Sequence, residues 1–112
     1  MQTVVETPTY LKAVEALFRE RDRDEIVFTI AADPEAGDIM PGTGGYRKLR
    51  FARAGMGKRG GVRVIYLYGG EEMPIFLITV YAKSEKGNLT QAERNALRKM
   101  ARSFFDDYKG NR

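Results

Sequence analysis

Two features of the chain concentrate side chains able to act on a phosphodiester. In YRKLRFAR (46–53), Lys48 and Arg50 are two residues apart. On a strand they share one face, with Arg47, Leu49 and Phe51 on the other. The stretches GVRVIYLY (61–68) and PIFLITVYAK (74–83) add Arg63 from one run and Tyr81 and Lys83, again two apart, from the other. Set side by side in register, these strands bring Lys48, Arg50, Arg63, Tyr81 and Lys83 onto one surface. The remaining cations of the segment, Arg47, Arg53, Lys58 and Arg59, are assigned to RNA backbone binding, with Lys58 and Arg59 hanging over the surface from the link AGMGKRGG. Arginine offers a planar fork to phosphate oxygens, and lysine a compact charge whose proton affinity neighbouring cations depress.

Such a surface can cleave RNA because RNA carries its own nucleophile, the 2′-OH. The protein must place that oxygen in line, stabilise the extra negative charge of the transition state and move two protons. Cations supply the charge stabilisation, and a lysine or tyrosine can carry a proton. Tyr66 and Tyr68 either offer rings for base stacking or, by alternation, face the other way into the core. The same pattern also fits a surface that binds RNA without cutting it.

Composition narrows the alternatives. The 112 residues contain no cysteine and no histidine. Thiolate metal sites, disulfides and every catalytic arrangement built on histidine are therefore excluded. No GxxxxGK[ST] or GxGxxG phosphate loop is present, and no cofactor or metal is expected. Charge is segregated. Residues 1–38 carry nine acids and four bases, residues 39–70 carry seven bases and no acid, and residues 71–112 carry eight bases and six acids. A positive middle third favours a polyanionic partner. No apolar run approaches the roughly 18 residues of a membrane span, and MQTVVETPTY lacks the features of a secretory signal, so cytoplasmic residence is expected.

The elements that must position these groups follow from periodicity. The length suits one domain, 1–112. QTVVE (2–6) is a short strand. Thr7-Pro8 is an N-cap followed by proline at the first helical position, opening a helix over about 8–20 with Leu11, Val14, Leu17 and Phe18 on one stripe. Asp22 and Glu25 are spaced as an N-cap and its reciprocal partner, opening a second helix through IVFTI despite its β-branched residues. PEAGDIMPGTGG (34–45) is a loop. Three strands, 46–53, 61–68 and 74–83, form a meander, the last apolar enough to be central. AGMGKRGG is a long projecting loop and GGEEM a hairpin turn. Thr90 and Glu93 form a capping box on a final helix whose stripe is Leu97, Met100, Ala101, Phe104 and Tyr108, and KGNR frays. The order β-α-α-β-β-β-α describes an α+β domain with helices packed on an antiparallel sheet.

GTGGYRKLRFARAGMGKRGGVRVIYLY, followed by IFLITVYAKSEKGNLTQAERNAL, resembles the RelE/HigB branch of type II toxin–antitoxin toxins over about residues 25–102. The resemblance implies a bacterial mRNA interferase that binds the ribosomal A site and cuts the message there. It implies two N-terminal helices against an antiparallel sheet, which favours the helix at IVFTI. It also implies a cognate antitoxin, in the HigB branch a helix-turn-helix, HigA-like protein through which the complex binds operator DNA. The family's cationic positions fall on Lys48, Arg50, Arg63 and Lys83. Its later tyrosine has no counterpart in SEKGNL, and Tyr81 is the substitute. Two alternatives remain: a ParE-like toxin that inhibits gyrase, and a catalytically inactive RNA-binding relative.

Overall fold

The computed structural model describes residues 2–53, 57–82 and 90–110, and the side chains of all these except 53–60, 109 and 110. The elements are β1 (Val4–Glu6), α1 (Pro8–Glu15), α2 (Glu20–Ala32), β2 (Asp38–Ile39), β3 (Tyr46–Arg53), β4 (Gly57–Leu67), β5 (Ile75–Ala82) and α3 (Gln91–Gly110). They form a five-stranded sheet in the order β1-β5-β4-β3-β2. The α+β class and the helical state of IVFTI agree with the sequence reading.

The sheet is mixed rather than wholly antiparallel. β1 runs parallel to β5, with Val4 opposite Ile75 and Glu6 opposite Leu77. Gln2 Nε2 donates to the carbonyls of Gly70 and Met73 at 2.6 and 2.7 Å, tying the start of the chain to the β4–β5 turn. β2 lies inside the segment expected to be loop and pairs antiparallel with β3. Its two residues are too few to show a period of two in sequence.

Helix boundaries also move. Thr7 caps α1 as expected, its Oγ1 accepting from Tyr10 N at 3.3 Å and donating to Leu77 O at 2.7 Å. The helix stops at Glu15, and Leu17 and Phe18 pack on the core from the turn that follows, their amides bonding Val14 O. α2 starts at Glu20 after Arg19, without a side-chain cap. Asp22 is thus in the first turn, where a carboxylate still suits the positive end of the helix dipole. α3 has the expected reciprocal cap: Thr90 N donates to Glu93 Oε1 at 3.0 Å and Glu93 N to Thr90 Oγ1 at 3.1 Å. It continues through Lys109 and Gly110, beyond the expected fraying point.

Alternation along the strands builds two apolar clusters. Val62, Val64, Tyr66, Ile75, Leu77 and Val80 join Tyr10, Val14, Ile26 and Ile30 beneath α1 and α2. Tyr46, Ile65, Leu67 and Ile78 join Met40 and Ala101 beneath α3, with Leu97, Met100, Phe104 and Phe105 packed around them. Phe76 and Phe104 stack at 4.5 Å. β5 is therefore covered on both faces, as its continuous apolar run requires.

Candidate nucleic-acid interface

β3 and β4 place the cations by register. Lys48 is opposite Ile65, and Arg50 is opposite Arg63. On the next strand Arg63 is opposite Tyr81. Directly opposed residues of antiparallel strands share a face, with Cβ atoms roughly 4.5–5.5 Å apart. Arg50, Arg63 and Tyr81 therefore form a row across three strands, flanked by Lys48 two residues along β3. The row lies on the α3 side of the sheet, because Tyr46, Ile65 and Tyr81 belong to the cluster beneath that helix.

A bulge makes this row. Tyr66 is opposite Leu77 and Ile65 opposite Thr79, so Ile78 is an extra residue on β5. Carried on without it, the register would set Val80 rather than Tyr81 against Arg63 on the α3 face. The extra residue sets Tyr81 beside Arg63 instead. Bulges commonly re-aim a side chain in this way.

Arg50 is exposed, whereas Lys48, Arg63 and Tyr81 are half-buried. Arg63 Nη1 is buried without a hydrogen-bond partner among the described residues. An unmet buried donor costs on the order of 1–3 kcal/mol, more when charged.

Other predicted residues lie elsewhere. Arg47 points to the α1/α2 side, where its Nη1 donates to Gly37 O at 2.9 Å and Glu35 O at 3.2 Å and its guanidinium stands 5.9 Å from the centre of the Tyr68 ring. Tyr66 is fully buried on that side, its hydroxyl donating to Pro34 O at 2.7 Å and accepting from Gly37 N at 2.9 Å. Tyr68 packs against the same cluster. Both tyrosines are structural, so the base-stacking option closes. Gly37 is required by this contact, since a Cβ there would stand 2.7 Å from the Tyr66 hydroxyl oxygen.

The link expected to project is short. Arg53 pairs with Gly57, and β4 already runs from Gly57, so most of AGMGKRGG is strand. Glycine and charge suggested a loop, but β4 extends through them, its pairing with β3 resuming at Arg53–Gly57 after a register shift beyond Phe51–Val62. The side chains of Arg53, Lys58 and Arg59, and the whole of Lys83, lie outside the described residues.

Sequence reasoning missed Arg94 and Arg98 on α3. Arg98 Nε and Nη2 donate to Gly42 O at 3.0 and 2.7 Å, and Arg94 Nη1 donates to Pro41 O at 2.6 Å. These bonds hold α3 against the glycine-rich turn before β3. The turn needs its glycines, with Gly42 at φ 75° and Gly44 at φ 84°, and Thr43 is buried with its hydroxyl on Met40 O at 2.6 Å. The only sequence signal was the arginine spacing, which equally suits a solvated helix face.

A family model described as RelE toxin of the RelE / RelB toxin-antitoxin system matches residues 15–110. The chain belongs to the RelE toxin family. It is the toxin of a toxin–antitoxin system, and the family implies a cognate antitoxin. The match spans α2 through α3 and therefore every residue of the row. No helix among the described residues of this RelE-family toxin is long and apolar enough to cross a membrane. No group of three or more acidic side chains among them could hold a metal ion.

The tyrosines of this toxin divide by environment. Burial pushes the Tyr46 hydroxyl up to about 12. Burial, and then the nearby Glu6 carboxylate, push Tyr10 up, and burial also raises Tyr66. All three remain neutral at physiological pH and are committed to the interior. Tyr81 is the tyrosine on the cationic row.

Proposed function

We propose that this toxin is a ribosome-dependent mRNA interferase of the HigB type, an endoribonuclease that cuts message in the ribosomal A site and so stops translation. The observation that carries the reading is the row Arg50–Arg63–Tyr81 with Lys48 beside it, centred on an arginine whose Nη1 is buried with no acceptor among the described residues.

In this reading the 2′-oxygen attacks the adjacent phosphorus. The O2′–P bond forms and the P–O5′ bond breaks, leaving a 2′,3′-cyclic phosphate and a 5′-hydroxyl. Arg50 and Arg63 hold the non-bridging oxygens as negative charge builds on them. Lys48 and Tyr81 are the proton carriers on that face: one takes the 2′-OH proton and the other supplies the O5′ proton. Lys83, which follows β5 directly in sequence, is assigned as a further cation of the site. Arg53, Lys58 and Arg59 bind RNA backbone. Because RNA supplies the nucleophile, the reaction needs neither metal nor cofactor. The cytoplasm is then the site of action, and the antitoxin is a helix-turn-helix, HigA-like protein that carries the complex to operator DNA.

The test is to induce the gene without its neighbour and map message 5′ ends. New ends inside translated codons are expected, together with growth arrest that the adjacent antitoxin relieves. Arg63→Ala should lose roughly 100- to 1000-fold in cleavage, the usual effect of removing one preorganised donor, while still binding antitoxin. Growth arrest with intact message and a DNA-damage response would replace this reading with gyrase inhibition.

A further inference from the structure

The two halves of α3 are held to the sheet by different chemistry. The second half is held by rings. Phe104 stacks on Phe76 at 4.5 Å, and Phe105 lies so close to Gly69 that a Cβ there would stand 2.6 Å from its ring. The first half is held by arginines. Arg98 Nε and Nη2 both donate to Gly42 O, at 3.0 and 2.7 Å, and Arg94 Nη1 donates to Pro41 O at 2.6 Å. A charged donor makes a stronger bond than a neutral one, and three such bonds on two successive carbonyls form a clasp.

The clasped turn is shaped for this contact. Gly42 and Gly44 sit in the left-handed region, at φ 75° and 84°, which glycine adopts without strain. A Cβ at Gly44 would stand 3.3 Å from Arg98 Cγ, so the helix lies directly on the backbone of the turn. Met40 accepts from the Thr43 hydroxyl at 2.6 Å and donates its amide to Tyr46 O at 3.0 Å, which joins the turn to the first residue of β3. Lys48 follows two residues later and Arg50 two beyond that. From the same half of α3, Leu97 and Met100 pack on the apolar cluster against which Tyr81 also packs. The clasp therefore ties the helix on the row's side of the sheet to the start of the strand that carries Lys48 and Arg50.

We propose that Arg98, assisted by Arg94, is a positioning residue for RNA cleavage: by clasping the Pro41 and Gly42 carbonyls it holds α3 and the start of β3 in the arrangement that aims Lys48 and Tyr81 at the scissile phosphodiester. It acts through the backbone of the turn and not as an RNA contact. The inference rests on the reading of this toxin as a ribonuclease. A misplacement of about 1 Å caused far from the chemistry can lower a rate on the order of 100-fold. A residue that only positions slows the bound complex and leaves binding unchanged.

Glutamine separates the bond from the charge. Its Nε2 is as many bonds from the backbone as Arg98 Nε, so Arg98→Gln keeps a donor for Gly42 O and removes the cation. Gly44→Ala does the reverse: it keeps every cation, strains the turn and presses a methyl group onto Arg98. Full-length wild type, Arg98→Ala, Arg98→Gln and Gly44→Ala are compared in single-turnover cleavage of message on programmed ribosomes over a range of toxin concentrations. Amide hydrogen exchange of residues 40–46 and 91–101 in the free toxin reports the clasp itself. Arg98→Ala and Gly44→Ala should slow the saturating rate by roughly 10- to 100-fold, leave the half-saturating concentration unchanged and speed exchange in those two segments. Arg98→Gln should cleave and exchange close to wild type.

If Arg98→Gln were as slow as Arg98→Ala while Gly44→Ala kept the wild-type rate, the charge would be what matters and the positioning role would be overturned. A raised half-saturating concentration at an unchanged saturating rate would make Arg98 an RNA contact and overturn it too. Should Arg98→Ala not fold, Arg98→Gln against Gly44→Ala decides the same question. Wild-type cleavage by Arg98→Ala overturns the positioning role alone, whereas failure of the wild type to cleave overturns the ribonuclease reading and the positioning role with it.

Discussion

The two faces of β3 treat their cations in opposite ways. On the α1/α2 side, Arg47 lies over the Tyr68 ring and donates to two carbonyls of the 35–37 segment. Tyr66 beneath it closes two more hydrogen bonds to Pro34 and Gly37. On the α3 side, three residues further along, Arg50 stands beside Arg63, whose Nη1 meets no acceptor among the described residues. One strand thus carries an arginine bonded to the backbone carbonyls of a neighbouring loop and, on its other face, an arginine aligned with Arg63 and Tyr81. Residue type does not separate the two positions; the face of the strand does.

The largest expected effect is the split between these arginines. Arg50→Ala should lower cleavage on translating ribosomes by roughly 100- to 1000-fold. Arg47→Ala should leave cleavage per folded molecule within a few-fold and instead lower stability by about 1–2 kcal/mol, as expected when a charged donor to carbonyls is lost. Chemical denaturation alongside the ribosome assay checks both. If Arg47→Ala abolished cleavage at unchanged stability, the division between the faces would collapse.

Alkaline titration comes next. The Tyr46 hydroxyl is raised from its ordinary value of 10 to about 12 by burial. A raised value in the fold means that its stability contribution is complete below pH 10 and is lost as pH rises through 12, because the unfolded chain ionises first. Tyr46 alone should cost about 2–3 kcal/mol of stability by pH 12. Urea midpoints of wild type and Tyr46→Phe, compared at pH 8 and 12, isolate that share. Parallel loss in both proteins would remove Tyr46 as the cause.

The smallest effects sharpen the same contrast between faces. Tyr66→Phe leaves the buried Gly37 amide unpaired and should cost about 1–3 kcal/mol at neutral pH. Tyr46→Phe removes a buried hydroxyl that has no partner among the described residues and should be neutral or slightly stabilising. Thermal melts of the two variants give the answer, and equal losses would mean that Tyr46 has a bonding role the structure lacks.

Much of the fold was legible because it rests on local rules. The Thr7-Pro8 start, the Thr90/Glu93 capping box and the apolar run of β5 are written in short spacings. The boundaries of α1 and α2 were less so: Leu17 and Phe18 continue a helical stripe in sequence, yet they reach the core from a turn. The strand extent of β4 was hidden because GKRGG has loop composition, and its far end is tied to β3 only by the Arg53–Gly57 pair beyond a register shift.

The candidate site divides in the same way. By itself the sequence determined that the middle third is basic, that histidine and cysteine chemistry is absent, and that Lys48 and Arg50 share a face. Those are matters of count and of the two-residue period of a strand. Only the tertiary structure decided that Arg47 is committed to backbone carbonyls, that α3 is fastened to the Gly42 turn, and that Tyr81 rather than Val80 stands beside Arg63. The last depends on one extra residue at Ile78. A single insertion in a strand flips every side chain beyond it, and whether the partner strand absorbs it is settled by packing on both faces rather than by local sequence.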